Sequence, residues 1–396
     1  MSTYIVLKRK SASLSSTMPG APKFEVLGTT KDGKQEWGLN IERVAPEHAA
    51  QLAAAPEVAA VARTMPTTLI KPMDMDTRTP IAASAAAQNA WGIGYVGADQ
   101  SHWDGSGVKV AVLDTGIDRA HPAFAGMDLV EEDFSGSGNG DRQGHGTHCA
   151  GTIFGRDVNG VRIGIARGVQ HALIGKVLDD SGSGESAMIF KAMSWALNNN
   201  ANIISMSLGF DFTGLVDRLV AAKWPPPLAA STALESYRSN LRMFDAIMGI
   251  LRANKDFGNE PLVVVAAGNE SQRDVNPQYR IAASLPAAAV DVVSVAAVDQ
   301  EGRVANFSNS NAVLCGPGVD ILSAWPNNRL NSISGTSMAC PHVAGLAALW
   351  WQLVTAQQPP ANAAKVKNQM LAALKQAGLH PAFNEEDFGQ GLVTAP

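Results

Sequence analysis

Five short stretches of this chain are almost wholly apolar: 108–113 (VKVAVL), 171–178 (HALIGKVL), 203–208 (IISMSL), 262–267 (LVVVAA) and 292–298 (VVSVAAV). Runs of that length without polar alternation suit strands buried on both faces of a sheet. Between them the apolar period lengthens to that of a helix. Residues 145–154 fit one helix and 185–198 another, the latter with Met188, Ala192 and Ala196 beside Ile189, Met193 and Leu197 on one face. The segment 331–350 (NSISGTSMACPHVAGLAALW) repeats Ala339, Val343, Ala344, Leu346 and Ala347 at helical spacing. Pro341 is expected in that helix's first turn, where a missing N–H matters least. Strands alternating with helices predict an α/β domain, a mostly parallel sheet between two helix layers. Residues 210–260 interrupt the rhythm, with WPPP at 224–227 as a loop and 233–253 as one long helix.

The first 70 residues follow a different pattern. Residues 4–7 (YIVL), 24–27 (FEVL), 36–42 and 58–63 fit strands, and Pro46-Glu47 opens a short helix that Pro56 stops. A small α+β domain over 1–70 is expected, then a linker over 71–84 and the large domain over 85–396. The stretch 65–79 carries two prolines, Pro66 and Pro72, ahead of Pro80 and has no periodicity, so all of it reads as linker.

Composition narrows the class. In 396 residues, 46% are apolar and 17% charged, enough for a large core, and a net charge of −5 gives no reason to expect nucleic acid. The opening MSTYIVLKRKSAS has no apolar core of a signal peptide, and no run of about 18 apolar residues could span a membrane. Cys149, Cys315 and Cys340 are odd in number and lack metal-ligand spacing, which fits free thiols in a reducing compartment. The cytoplasm is the expected location, with export lacking a cleavable signal as the alternative.

Asp114 ends the first strand of the α/β region, at the carboxyl edge where ligands gather in open sheets. His145 sits between glycines in GHGTHCAG, and Ser337 opens the buried helix, where a positive helix end favours a developing anion. Together they supply a nucleophile (Ser337), a general base (His145) and an orienting carboxylate (Asp114). Asn269, just past the strand of VVVAAGNE, can offer an amide to an oxyanion. Two rivals are weaker. Zinc on His145, His148 and Cys149 lacks a fourth ligand. An aspartic pair from the D-[TS]-G matches at Asp114 and Asp180 leaves the other motifs unexplained. Gly-Thr-Ser-Met-Ala is also not the G-x-S-x-G of an α/β-hydrolase.

DTGID, HGTHCAG, AAGNE and GTSMACPHVAG, in that order, resemble the four signature blocks of the subtilisin-like serine proteases. The resemblance spans about 85–396 and implies a serine endopeptidase acting on proteins or peptides. It also implies that Ser183, Gly184, Ser207, Leu208 and Gly209 line the substrate groove, with Glu270 at the rim of the primary specificity pocket. No cofactor is implied for the chemistry. Structural calcium is weakened because Ala123 follows His121-Pro122 where such proteins usually carry an acid, although the loop 157–160 (DVNG) keeps oxygen donors. Residues 37–61 resemble the second half of an inhibitor-like propeptide, which implies that the N-terminal domain is the chain's own intramolecular inhibitor. The first helix expected of such a unit does not show in 8–23.

Overall fold

The computed structural model describes residues 2–10, 25–29, 36–73, 81–82, 89–253 and 260–396. Residues 11–23, where the propeptide-like helix was missing from the sequence pattern, and 74–80 of the linker lie outside them. The N-terminal unit contains β1 (Ser2–Lys10), β2 (Glu25–Thr29), β3 (Glu36–Val44), helix α1 (Pro46–Ala53) and β4 (Val58–Arg63). Its strands pair antiparallel in the order β2-β3-β1-β4. Two short strands follow, β5 (Pro66–Leu69) and β6 (Ile81–Ala82), and then helix α2 (Trp91–Tyr95).

The large domain begins with β7 (Lys109–Asp114), β8 (Asp128–Asp133), α3 (His145–Phe154), β9 (His171–Lys176), β10 (Ser183–Glu185) and α4 (Ser186–Asn198). It continues through β11 (Ile203–Met206), β12 (Leu208–Phe210), α5 (Phe212–Ala221), α6 (Pro226–Ala253), β13 (Leu262–Ala266), β14 (Val293–Val298) and β15 (Leu314–Pro317). A hairpin, β16 (Ile321–Trp325) and β17 (Arg329–Ile333), precedes α7 (Thr336–Gln357), α8 (Ala363–Ala372) and α9 (Glu385–Phe388).

Seven of these strands form one sheet in the order β15-β14-β13-β11-β7-β9-β8, parallel at every pairing. Alternation along each strand divides the apolar residues between two cores. Val110, Val112, Ile203 and Val264 face the core shared with α3 and α7, whereas Ala111, Leu113, Ile204 and Val263 face the core shared with α4 and α6. The result is a three-layer α/β fold.

The N-terminal sheet lies against α4 and α6. Ile5, Leu7, Leu39 and Ala62 belong to the same core as α4 and α6, so the two units share apolar packing. The buried Asn240 of α6 donates from Nδ2 to Arg63 O at 2.8 Å.

Three expectations change here. Residues 66–69 are a strand, not linker, because partners far along the chain supply the hydrogen bonds. The WPPP stretch does not remain a loop: Pro226 and Pro227 start α6, whose first-turn N–H groups need no helical partner. Pro341 lies in the second turn of α7, where it leaves Ser337 O without its usual helical donor. That carbonyl accepts instead from Ser207 Oγ at 3.2 Å and Cys149 Sγ at 3.4 Å. Among the described residues, no helix is long and apolar enough to cross a membrane.

Candidate active site

Asp114 is the last residue of β7, and His145 is the first of α3. Both are buried, and His145 Nδ1 lies 2.8 Å from Asp114 Oδ1, which also accepts from Thr115 N. Asp141 fixes the start of α3. One carboxylate oxygen accepts from Gly144 N and the other from Thr147 N and Thr147 Oγ1, at 2.6–2.9 Å. An anion at this helix end satisfies donors that the helix itself leaves free. Asp141 escaped the sequence reading, because it stands three residues ahead of the N-cap Gly144, where no capping pattern marks it.

Ser337 is the second residue of α7 and fully buried in this chain. Asn269 follows β13, and its Oδ1 accepts from Thr336 N and Thr336 Oγ1, each at 2.9 Å. This leaves Nδ2 pointing away from Thr336. A methyl group on Gly335 would come 2.8 Å from Asn269 Nδ2 and 3.6 Å from Ser337 N. The two donors therefore face a common space that only glycine keeps open.

That space borders a groove which the chain itself fills. β5 lies between β10 and β12, antiparallel to both. Thr68 is opposite Ser183 and Gly209, Thr67 opposite Gly184, and Leu69 opposite Leu208. Leu69 N also donates to Gly182 O at 2.8 Å. The next residue, Ile70, is 5% exposed, and its Cγ1 would lie 3.6 Å from a methyl on Gly209. Ser337 Oγ donates to Ile70 O at 3.1 Å, Asn269 Nδ2 donates to Lys71 O at 3.1 Å, and Met73 N donates to Ser334 O at 2.9 Å. The segment thus crosses the site unbroken, one carbonyl facing the serine hydroxyl and the following one facing the amide. His145 Nε2 has no partner among the described residues.

The other candidate residues divide. Ser183, Gly184, Leu208 and Gly209 form the two edges of the groove. Ser207 donates its hydroxyl to Ser337 O at 3.2 Å. Glu270 lies in the wall of a cavity of about 860 Å³ that Met73, Asp274, Asp320 and Ser334 also line.

The rival arrangements do not assemble. His148 Nε2 donates to Ile321 O and Asn331 O, which takes it away from Cys149 and His145 as a joint ligand. The one grouping of metal-type side chains among the described residues is Asp114, His145 and Cys149. Asp180 is paired with Lys176 and Arg142, whose hydrogen bonds, Lys176 first, lower its pKa, so it shares no proton with Asp114. In the loop considered for calcium, both carboxylate oxygens of Asp157 accept from Arg167, so a cation there would compete with that guanidinium.

The subtilase family profile matches residues 105–391. The chain belongs to the subtilase family. It is 34% identical over 313 residues to a thermostable alkaline protease of Halalkalibacterium halodurans, covering 77% of this chain and 72% of that one. It is 32% identical to subtilisin DY of Bacillus licheniformis, covering 76% and 96%, respectively. With the major intracellular serine protease of Bacillus subtilis it shares 33% identity, over 62% of this chain and 68% of the other. This subtilase is a serine endopeptidase, and its substrates are proteins or peptides.

Cys149 lies against the imidazole, its Sγ 3.7 Å from His145 Nδ1. Burial first, and then the charge of Asp114, holds its thiol well above the usual cysteine range. It is a packed, protonated neighbour of the site.

Proposed function

We propose that the enzyme is made as a proenzyme, held shut by residues 1 to about 70 and opened by cutting its own chain at Ile70–Lys71. One observation carries this reading: an uncut strand of the same chain pairs with both groove edges and delivers Ile70 O to Ser337 Oγ. Extended peptides bind by adding a strand to bare sheet edges, and β5 occupies the place such a substrate would take.

In catalysis Ser337 Oγ attacks the scissile carbonyl carbon while His145 Nε2 takes its proton. Asp114 holds the imidazole through Nδ1 and stabilises the imidazolium. Asn269 Nδ2 and Ser337 N bind the oxyanion in the space beside Gly335. The C–N bond then breaks as His145 returns the proton to the leaving amine, leaving an acyl-enzyme on Ser337. Water, deprotonated by the same histidine, releases the acid.

The resting contacts differ from this sequence in two respects. The serine proton is directed to Ile70 O, and Asn269 is occupied by the next carbonyl, Lys71 O. Lys71 precedes Pro72, which is buried. The strand must shift until Ile70 O reaches Asn269 before the bond can be cut, so inhibition and slow self-cleavage use the same segment.

Intact mass of the wild type and of Ser337→Ala, before and after a fluorophosphonate probe, tests the reading. The wild type should lose an N-terminal piece ending at Ile70 and take one adduct, while the variant stays whole and unlabelled. Cleavage of purified Ser337→Ala at the same bond, or a wild type that remains full-length and unlabelled, refutes self-processing.

A further inference from the structure

Asn309 surrounds the residue that carries the oxyanion amide. Its side chain is fully buried in the loop between β14 and β15. Asn309 Oδ1 accepts from the backbone N–H of Glu270 and of Ser271, both at 3.1 Å. Its Nδ2 donates to Ala267 O at 3.2 Å and to Glu270 Oε2 at 2.6 Å, and its own N–H donates to Gly268 O at 3.0 Å. Residues on both sides of Asn269 are thus tied to a single side chain and its backbone, while Asn269 is left to face the groove. The fit is close enough to need glycine: Gly268 has φ +115°, and a methyl there would lie 2.3 Å from Asn309 Nδ2.

We propose that Asn309 is a positioning residue for oxyanion stabilisation, acting through Asn269. This rests on the oxyanion role given to Asn269 above. Thr336 holds the amide's oxygen end, and Asn309 holds the turn from which the side chain projects. Asn309 is itself anchored through its neighbour. Ser310 Oγ donates to Asp387 Oδ1, and that carboxylate also accepts from Arg273 and Arg280. An amide that donates to an oxyanion needs its geometry set before the charge develops, because reorganisation during the reaction weakens the stabilisation.

The test is a double-mutant cycle on full-length chains whose intact mass shows residues 70 and 71 still joined in every sample, reading kcat and KM on one peptide p-nitroanilide for wild type, Asn269→Ala, Asn309→Ala and the double variant. Asn269→Ala should lower kcat roughly 10²–10³-fold with little change in KM. Asn309→Ala should lower kcat about ten- to a hundredfold, the range expected of a displaced catalytic group. Added to Asn269→Ala, it should lower kcat less than about threefold, since the amide it positions has gone. Independent, multiplying losses overturn the proposal and leave the role of Asn269 standing. An unchanged kcat in Asn269→Ala overturns both. Asn309→Ser, with the thermal midpoint measured alongside, covers the case in which Asn309→Ala does not fold. The serine variant must show the same dependence on Asn269, and a loss equal in both backgrounds counts against the proposal.

Discussion

Ile70→Ala is the perturbation that separates an occupied groove from an impaired one. The change removes three side-chain carbons from a position that is 5% exposed and seated over Gly209. At about 0.8 kcal/mol per buried carbon, the docked segment loses about 2.4 kcal/mol of apolar burial. The backbone pairing of β5 with β10 and β12 is untouched. At about 1.4 kcal/mol per tenfold, the ratio of closed to open chain falls about fiftyfold. An occupant that competes with substrate changes the fraction of free enzyme, not the chemistry of the bound complex. The expected result is an apparent KM for an added peptide p-nitroanilide that falls by up to about fiftyfold with kcat unchanged. Initial rates should be taken on wild-type and variant chains whose intact mass shows that residues 70 and 71 are still joined. Equal KM values for the two uncut chains would refute the reasoning, as would an effect confined to kcat.

Three further outcomes follow from the packing. Burial, reinforced by the neighbouring His145, pushes His148 down to about 3, and burial pushes His342 down to about 4. Both stay neutral in the fold but take up protons when unfolded near pH 6.5, so the stability they contribute is complete above that pH and is lost as the pH falls toward 4. Each accounts for about 2 kcal/mol between pH 7 and pH 5. Urea midpoints should fall across that interval, and a flat profile would contradict the assignment. Gly92→Ala would place a methyl 2.2 Å from His342 Nε2 and should destabilise by about 1–3 kcal/mol, read as a lower thermal midpoint. Cys149, Cys315 and Cys340 are all buried with thiols raised mainly by burial, so iodoacetamide should label none of them in the native chain and all of them in denaturant. A native adduct seen by intact mass would show that at least one of them is reachable.

What could be read from the sequence was what local pattern encodes. β7, α3 and α7 carry their own apolar period, and the chemical residues sit at their ends, where a parallel sheet gathers its ligands. β5 was missed because Pro-Thr-Thr-Leu has no alternation and becomes a strand only between two edges more than a hundred residues away. β8 was missed because much of it is exposed. α5 was hidden in a stretch without fully buried side chains. Asn309 gives no local signal at all. Its meaning lies in six hydrogen bonds to residues about forty positions earlier, and such pairing is a property of the fold.

The two groove edges are each only three residues long and, among the described residues, pair with no strand apart from β5. If that strand departs as proposed, they accept only backbone that comes with both of its own edges unsatisfied. A strand already in a folded sheet has spent those groups, and a helix has turned them inward. The groove therefore discriminates by the structural state of its target, and a protein becomes visible to this enzyme where it has a loop or has begun to unfold. Under the proposed release of β5, edges so short would also be too brief a template to seed an extended sheet with another copy.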